Sequence, residues 1–162
     1  MKILVMSDSH GRRDLVIKCI RQHPDVQVVL HLGDLVGDFR DMDKTFPELE
    51  FFNVKGNCDF GSDIPAERMI TLQGVNILLT HGHTQGVNYG VSGLVGTARR
   101  KGAAIALFGH THVPYNKYHN GIYVLNPGSL AHPRDCSKAS YGLIEITNQG
   151  IITNTPEFVQ YR

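Results

Sequence analysis

The chain alternates short apolar runs with loops of small and polar residues. Lys2 to Met6 (KILVM) predicts a buried strand running into a polar loop. Asp14 to His23 carries Leu15, Val16, Cys19 and Ile20 at helical spacing and is stopped by Pro24. Val26 to Leu32 (VQVVLHL) predicts a second buried strand with Gly33-Asp34 as its exit loop. Phe39 to Phe46 follows as a short helix before Pro47, and Leu49 to Val54 as a third strand. Strand, helix, strand, helix, strand implies right-handed crossovers and a largely parallel central sheet.

The second half changes character. Arg68 to Leu72 and Val75 to Thr80 flank Gln73-Gly74 as a hairpin, and Gly86 to Lys101 reads as helical despite its glycines. Ala103 to Phe108 is a further apolar strand. Tyr115 to Tyr118 and Ile122 to Leu125 pair across Asn120-Gly121, and Ser140 to Thr147 and Ile151 to Thr155 pair across Asn148-Gln149-Gly150. No repeat, linker or low-complexity segment interrupts the pattern. The expectation is one domain over residues 1–162, with a mixed two-sheet core and helices outside.

Composition narrows the function. Apolar residues at 41% and charged residues at 19% describe an ordinary globular chain, and no apolar stretch approaches the ~18 residues of a membrane span. MKILVMSDSHG lacks the longer apolar region and cleavage site of a signal peptide, which places the chain in the cytoplasm. Three cysteines without paired spacing argue against a disulfide framework. A formal charge of +1 gives no case for a long nucleic-acid groove. Nine histidines, by contrast, call for an account of where they sit.

Most sit where predicted strands end. After successive apolar runs come Asp8 and His10, Gly33-Asp34, Gly56-Asn57, His81-Gly82-His83, and Gly109-His110-Thr111-His112. In α/β sheets the ligand crevice lies outside the carboxyl ends of the strands, so these loops should converge. Residues two apart in extended backbone point the same way, so each D-x-H or H-x-H pair can face one centre. Carboxylate, amide oxygen and imidazole donors without a thiolate cluster suit divalent Mn, Fe or Zn better than a structural zinc. Asp8, His10, Asp34, Asn57, His81, His110 and His112 are too many ligands for one ion. Two ions roughly 3.5 to 4 Å apart, sharing one carboxylate, would use them all.

Together, Asp8-Ser9-His10, Gly33-Asp34, Gly56-Asn57-x-Asp59, His81 in THGH and Gly109-His110-Thr111-His112 resemble the calcineurin-like metallophosphoesterases. The NCD, THGH, GHTH and NPGS pieces are similar, more narrowly, to the small bacterial and archaeal phosphodiesterase branch related to the retromer subunit Vps29. The resemblance runs in order from Lys2 to about Arg134. It implies an α/β fold, an αββα four-layer sandwich of two mixed sheets. It assigns Asp8, His10 and His112 to one metal, Asn57, His81 and His110 to the other, and Asp34 to both. Manganese is the first candidate, with Fe, Zn, Ni or Mg behind it. The implied activity is hydrolysis of a phosphate ester, diesters before monoesters, by a hydroxide bridging the two ions, and a homo-oligomer is also implied. A protein-interaction scaffold of the Vps29 kind and a thiol hydrolase using Cys58 are the rivals.

The remaining polar residues are less constrained. His83 is a candidate for proton transfer, and with Asp34 and Asn57 completes the expected catalytic set. Asp59 is read either as a turn cap or as a partner that orients a ligand. His31 reads as a satisfied core histidine, while His23, His119 and His132 lie near turns and should face solvent. Arg12, Arg13 and Arg134 are candidates to reach a phosphate. Asn126-Pro127-Gly128-Ser129 predicts a tight turn near the site. The family's usual His after the Asn is Cys58 here, a weak donor that cannot copy a protonated imidazole.

Overall fold

The computed structural model describes residues 1–159. Ten strands form two five-stranded sheets. The first sheet contains β1 (Lys2–Met6), β2 (Val28–His31), β3 (Glu50–Asn53), β9 (Gly142–Thr147) and β10 (Gly150–Asn154), in the order β10-β9-β1-β2-β3. The second contains β4 (Glu67–Leu72), β5 (Val75–Thr80), β6 (Ile105–Leu107), β7 (Pro114–His119) and β8 (Ile122–Pro127), in the order β4-β5-β6-β8-β7. Each sheet contains three neighbouring parallel strands, β1-β2-β3 and β5-β6-β8; antiparallel β9 and β10 extend the first beyond β1, leaving β3 at its edge, while antiparallel β4 and β7 flank the second on both sides.

Strand alternation builds the layers. Ile3 and Val5 of β1 point into a core between the sheets, with Val28, Leu30, Ile77, Leu79, Ile105 and Leu107. Their neighbours Leu4 and Met6 point the other way, onto Leu15, Val16, Cys19 and Ile20 of α1 (Arg13–Arg21). On the far side, Leu78, Ala106 and Val124 pack against Leu94 and Ala98 of α3 (Ser92–Arg100). Two-sided burial explains why the central strands read as continuous apolar runs. The result is the αββα sandwich. No helix among the described residues is long and apolar enough to cross a membrane.

Two expected helices are shorter than their sequence pattern. Phe39 to Phe46 divides between a 3₁₀ turn (Val36–Phe39) and the one-turn α2 (Met42–Thr45), because Asp41 between them has φ of 54°. The helical run expected from Gly86 instead begins at Ser92. Gly86 at φ 67° and Gly90 at φ 127° leave only a 3₁₀ turn (Val87–Tyr89) ahead of α3.

Candidate metal centre

The loops leaving β1, β2, β5 and β6 meet at one edge of the sandwich, and their backbones are unusual. Asp8, His10, Asp34, His110 and His112 have φ of 54°, 44°, 59°, 68° and 60°. Few non-glycine residues adopt this left-handed conformation, Asp, Asn and His more readily than most, and such residues gather at functional sites. The expectation of extended D-x-H and H-x-H pairs is therefore corrected. Strand alternation ends with the strand, and left-handed turns, not pleat geometry, aim these side chains at one centre.

That centre is tightly packed. Asp8, His10, Asp34 and His112 each offer a ligand atom, all within 4.8 Å of one another. His112 Nε2 lies 3.1 Å from Asp8 Oδ1, and His81 Nε2 lies 3.4 Å from Asp34 Oδ1. His10 Nε2 is 3.2 Å from His112 Nε2 and 3.8 Å from Asp34 Oδ2. His81 Nδ1 donates to the Leu32 carbonyl at 2.8 Å, and His112 Nδ1 to the His132 carbonyl at 2.6 Å. A carbonyl can only accept, so both rings carry their proton on Nδ1 and turn Nε2 toward the carboxylates.

Two of these atoms are orphans. Asp8 Oδ1 and His81 Nε2 are buried with no aligned hydrogen-bond partner among the described residues. Each such atom costs roughly 1–3 kcal/mol if left unsatisfied, and a divalent cation would satisfy both, so the donor set fits a metal. The electrostatics agree. Burial alone would raise the Asp34 carboxyl, but the neighbouring His81 ring and the Cys58 N–H hold it well below the usual carboxylate range. Asp8 is likewise lowered against its burial, by His112 and His81. Burial works against the charged forms of His81 and His112, yet the carboxylates raise both imidazoles. Positive charge is what this pocket favours.

Residues around the centre hold it in shape. Asp59 is buried, and its carboxylate accepts the N–H groups of Asp34 (3.0 Å), Val36 (2.8 Å) and Gly56 (2.7 Å). It orients the Asp34 loop rather than an imidazole. A Cβ on Gly56 would lie 2.1 Å from Asp34 Oδ1, so only glycine fits there. Below the Asp8 loop, Ser9 Oγ donates to Asp38 Oδ2 at 2.8 Å and bonds His31 Nε2 at 3.0 Å, while the Gly33 N–H meets His31 Nδ1 at 3.3 Å. His31 is thus a satisfied core histidine. Ser129 Oγ donates to the Asp8 carbonyl at 2.8 Å and Asn126 Nδ2 to the Gly109 carbonyl at 2.8 Å. The NPGS segment therefore ties the first ligand loop to the last. Of these supports, the sequence flagged Asp59 and the NPGS turn; nothing in it marked Asp38.

The other candidates sit around this core. The His110 N–H donates to Asp8 Oδ2 at 3.0 Å, its ring is 5.2 Å from that of His81, and Asn88 Nδ2 donates to His110 Nε2 at 3.0 Å. His83 faces His81 and His110 at ring distances of 5.5 and 6.1 Å, its buried Nδ1 without a partner among the described residues. Asn57 is exposed and its amide reaches only the neighbouring Cys58 Sγ at 3.5 Å, while the Cys58 N–H donates to Asp34 Oδ1 at 2.9 Å. The turn is thus brought to the centre by backbone, with the Asn57 side chain on its outer side. Arg12 pairs with Asp14, and Arg13 is spent on the carbonyls of Asp38 and Arg40.

Of the three histidines expected in solvent, only His132 is exposed. His23 is half-buried with its ring 4.8 Å from Tyr141, and His119 bonds the Tyr115 hydroxyl at 2.7 Å. Each packs against an aromatic ring, His119 against Tyr115 four residues earlier on β7 and His23 against Tyr141 from a distant part of the chain.

A family model for the calcineurin-like phosphoesterase superfamily domain matches residues 1–149. The chain belongs to that superfamily. Its relatives include the probable metallophosphoesterase YsnB of Bacillus subtilis, 33% identical over 150 residues that cover 91% of this chain and 86% of YsnB. The phosphodiesterase YfcE of Escherichia coli is 31% identical over 100 residues, 57% of this chain and 50% of its own length. Among solved structures, a predicted phosphoesterase from Streptococcus pneumoniae superposes with a TM-score of 0.82 at 33% identity, covering 95% of this chain and 87% of that one. A Vps29 single mutant from Entamoeba histolytica gives 0.75 at 25% identity, covering 98% and 100%. These neighbours place the chain in the branch to which its motifs point. The chain is a metallophosphoesterase of that branch, and its Asp and His cluster is where divalent metal would bind.

Proposed function

We propose that this metallophosphoesterase hydrolyses phosphodiesters with two divalent ions, manganese first among them. Asp8, His10 and His112 would hold one ion and Asn57, His81 and His110 the other, with Asp34 shared. The reading rests above all on the two buried atoms at the centre, Asp8 Oδ1 and His81 Nε2, that lack hydrogen-bond partners beside an already favourable site for positive charge. When bound, the ions would supply Lewis acidity toward a phosphate oxygen and make an attacking water more acidic.

The chain's own groups do the rest. The Leu32 and His132 carbonyls keep Nε2 of His81 and His112 aimed at the centre. Asn57 would turn its amide oxygen inward by rotation about an exposed side chain. His83, with Nδ1 unpartnered next to the ligand imidazoles, would hold the proton passed to the departing alkoxide, a task that Cys58 cannot perform. The Cys58 thiol is itself pushed up to about 11, by desolvation of the sulfur first and then by Asp34. It is therefore neutral at pH 7, which disfavours a thiol nucleophile.

The test is metal content together with hydrolysis of bis(p-nitrophenyl) phosphate. The expected result is chelator-sensitive turnover restored by manganese, lost in Asp34→Ala and kept in Cys58→Ala. A protein that neither retains divalent metal nor cleaves this ester when manganese is supplied would instead be a silent scaffold.

A further inference from the structure

Beside the centre, on the His110 and His112 side, lies a groove of about 520 Å³, within the range of small-molecule pockets. Val87, Val91, Phe108, Val113 and Tyr115 give it apolar and aromatic walls, and Arg134 lines it too. The walls are fixed before any ligand arrives. The ring centroids of Tyr115 and Phe108 lie 5.9 Å apart, and the Tyr115 hydroxyl is held by His119 at 2.7 Å. The groove is continuous with the ligand loops. Thr111, between the two histidines, lines it, as does Asn88, which bonds His110 Nε2 at 3.0 Å. The Arg134 N–H donates to the His112 carbonyl at 3.3 Å.

Charge points to an anion. The Arg134 side chain is exposed, and its guanidinium has no hydrogen bond or ion pair among the described residues. Asp135 also lines the groove and forms no ion pair with it. Arg12 and Arg13 are engaged elsewhere, which leaves Arg134, of the three candidate arginines, free for a phosphate. A free guanidinium beside aromatic walls fits a molecule that is anionic at one end and flat and apolar at the other.

On the phosphodiesterase reading above, we infer that this groove receives one ester arm of the substrate and selects an arm carrying an aromatic ring, whether a simple aryl group or a nucleobase. The Arg134 guanidinium then meets the phosphate that joins the arm to the centre.

Three diesters that share a p-nitrophenolate leaving group test this on the manganese-loaded protein, the other arm being methyl, phenyl or thymidine 5′-yl. The expected kcat/KM for phenyl or thymidine is roughly tenfold above methyl, the factor one ring stack supplies, carried mainly by KM. Val91→Trp should fill the slot and bring the ratio to within about twofold, whereas Arg134→Ala should lower all three alike and leave the ratio standing. A phenyl preference without thymidine assigns the slot to aryl esters, and a thymidine preference assigns it to nucleotides. Measurable turnover with equal kcat/KM on all three arms overturns the inference and leaves the phosphodiesterase reading intact.

A binding measurement is independent of turnover. The chain has no tryptophan, so Tyr115→Trp installs a single reporter in the wall. Saturable quenching by diphenyl phosphate but not by dimethyl phosphate supports the slot even if no diester is cleaved. Equal responses to the two refute it.

Discussion

Replacing Asp59 by Ala tests how the Asp34 loop is held. The substitution removes one carboxylate and strands three backbone donors, on Asp34, Val36 and Gly56, now held at 2.7–3.0 Å. Hydrogen bonds to a charged group contribute about 1.5–3 kcal/mol each, and a buried donor left without a partner loses about 1–3 kcal/mol. Cys58 and Phe60 beside the carboxylate are exposed, so water can reach part of the gap, and the low end applies. Three donors then give a loss of about 3–5 kcal/mol, a large share of the roughly 5–15 kcal/mol that stabilises a typical domain. Asp59→Asn keeps one acceptor oxygen and should lose about 1–2 kcal/mol. Urea unfolding of the metal-free proteins measures both. The second readout is manganese affinity, which should weaken roughly tenfold in Asp59→Asn because Asp34 is no longer held in its left-handed conformation. An Asp59→Ala protein within about 0.5 kcal/mol of wild type refutes the energetic argument. Destabilisation with unchanged manganese affinity makes Asp59 a brace of the fold alone.

Other substitutions probe different contacts. Gly56→Ala places a methyl 2.1 Å from Asp34 Oδ1, so metal analysis should find less than a tenth of the wild-type content; full occupancy contradicts the packing. His31 is fully buried, and desolvation pushes its imidazole down to about 4, against the pull of Asp8 and Asp38. The unfolded chain then binds more protons below about pH 6.5. Stability of the metal-free protein should be complete above that pH and fall by roughly 3 kcal/mol as pH drops through 6.5 toward 4. His31→Phe should flatten this part of the urea-midpoint profile, and an unchanged slope assigns the loss to other groups. If His83 supplies the proton to the leaving group, His83→Ala should slow alkyl diesters at least ~100-fold while leaving nitrophenyl diesters nearly unchanged. Equal losses on both leaving groups show that His83 does not act as the acid.

Much of the fold was legible because buried parallel strands must be apolar on both faces. KILVM, VQVVLHL and the runs around Ile77, Ile105 and Val124 announced themselves, and Pro24 marked the stop after α1 to within a few residues. The 3₁₀ turns were not legible, because the glycines at 86 and 90 are compatible with helix and with a left-handed break alike. In the fold Val87 joins the buried cluster that holds Phe108 and Leu94, a placement that the local sequence does not specify. The candidate site was legible as residue types after strands. Of its supports, Asp59 and the NPGS turn were flagged by the sequence, whereas Asp38 was not, since it lies 29 residues from the Ser9 hydroxyl that bonds it.

By itself, then, the sequence determined the layer pattern and the family and offered a set of candidate metal ligands, since hydrophobic alternation and donor chemistry are local properties of the chain. Only the tertiary structure decided how those side chains converge, that left-handed turns rather than extended pairs aim them, and that Asn57 stands at the rim. It also decided that a slot with aromatic walls and one free arginine opens beside His110 and His112. These are long-range consequences. They depend on which loops the two packed sheets bring together and on which polar atoms find partners, and neither quantity exists until the chain has folded.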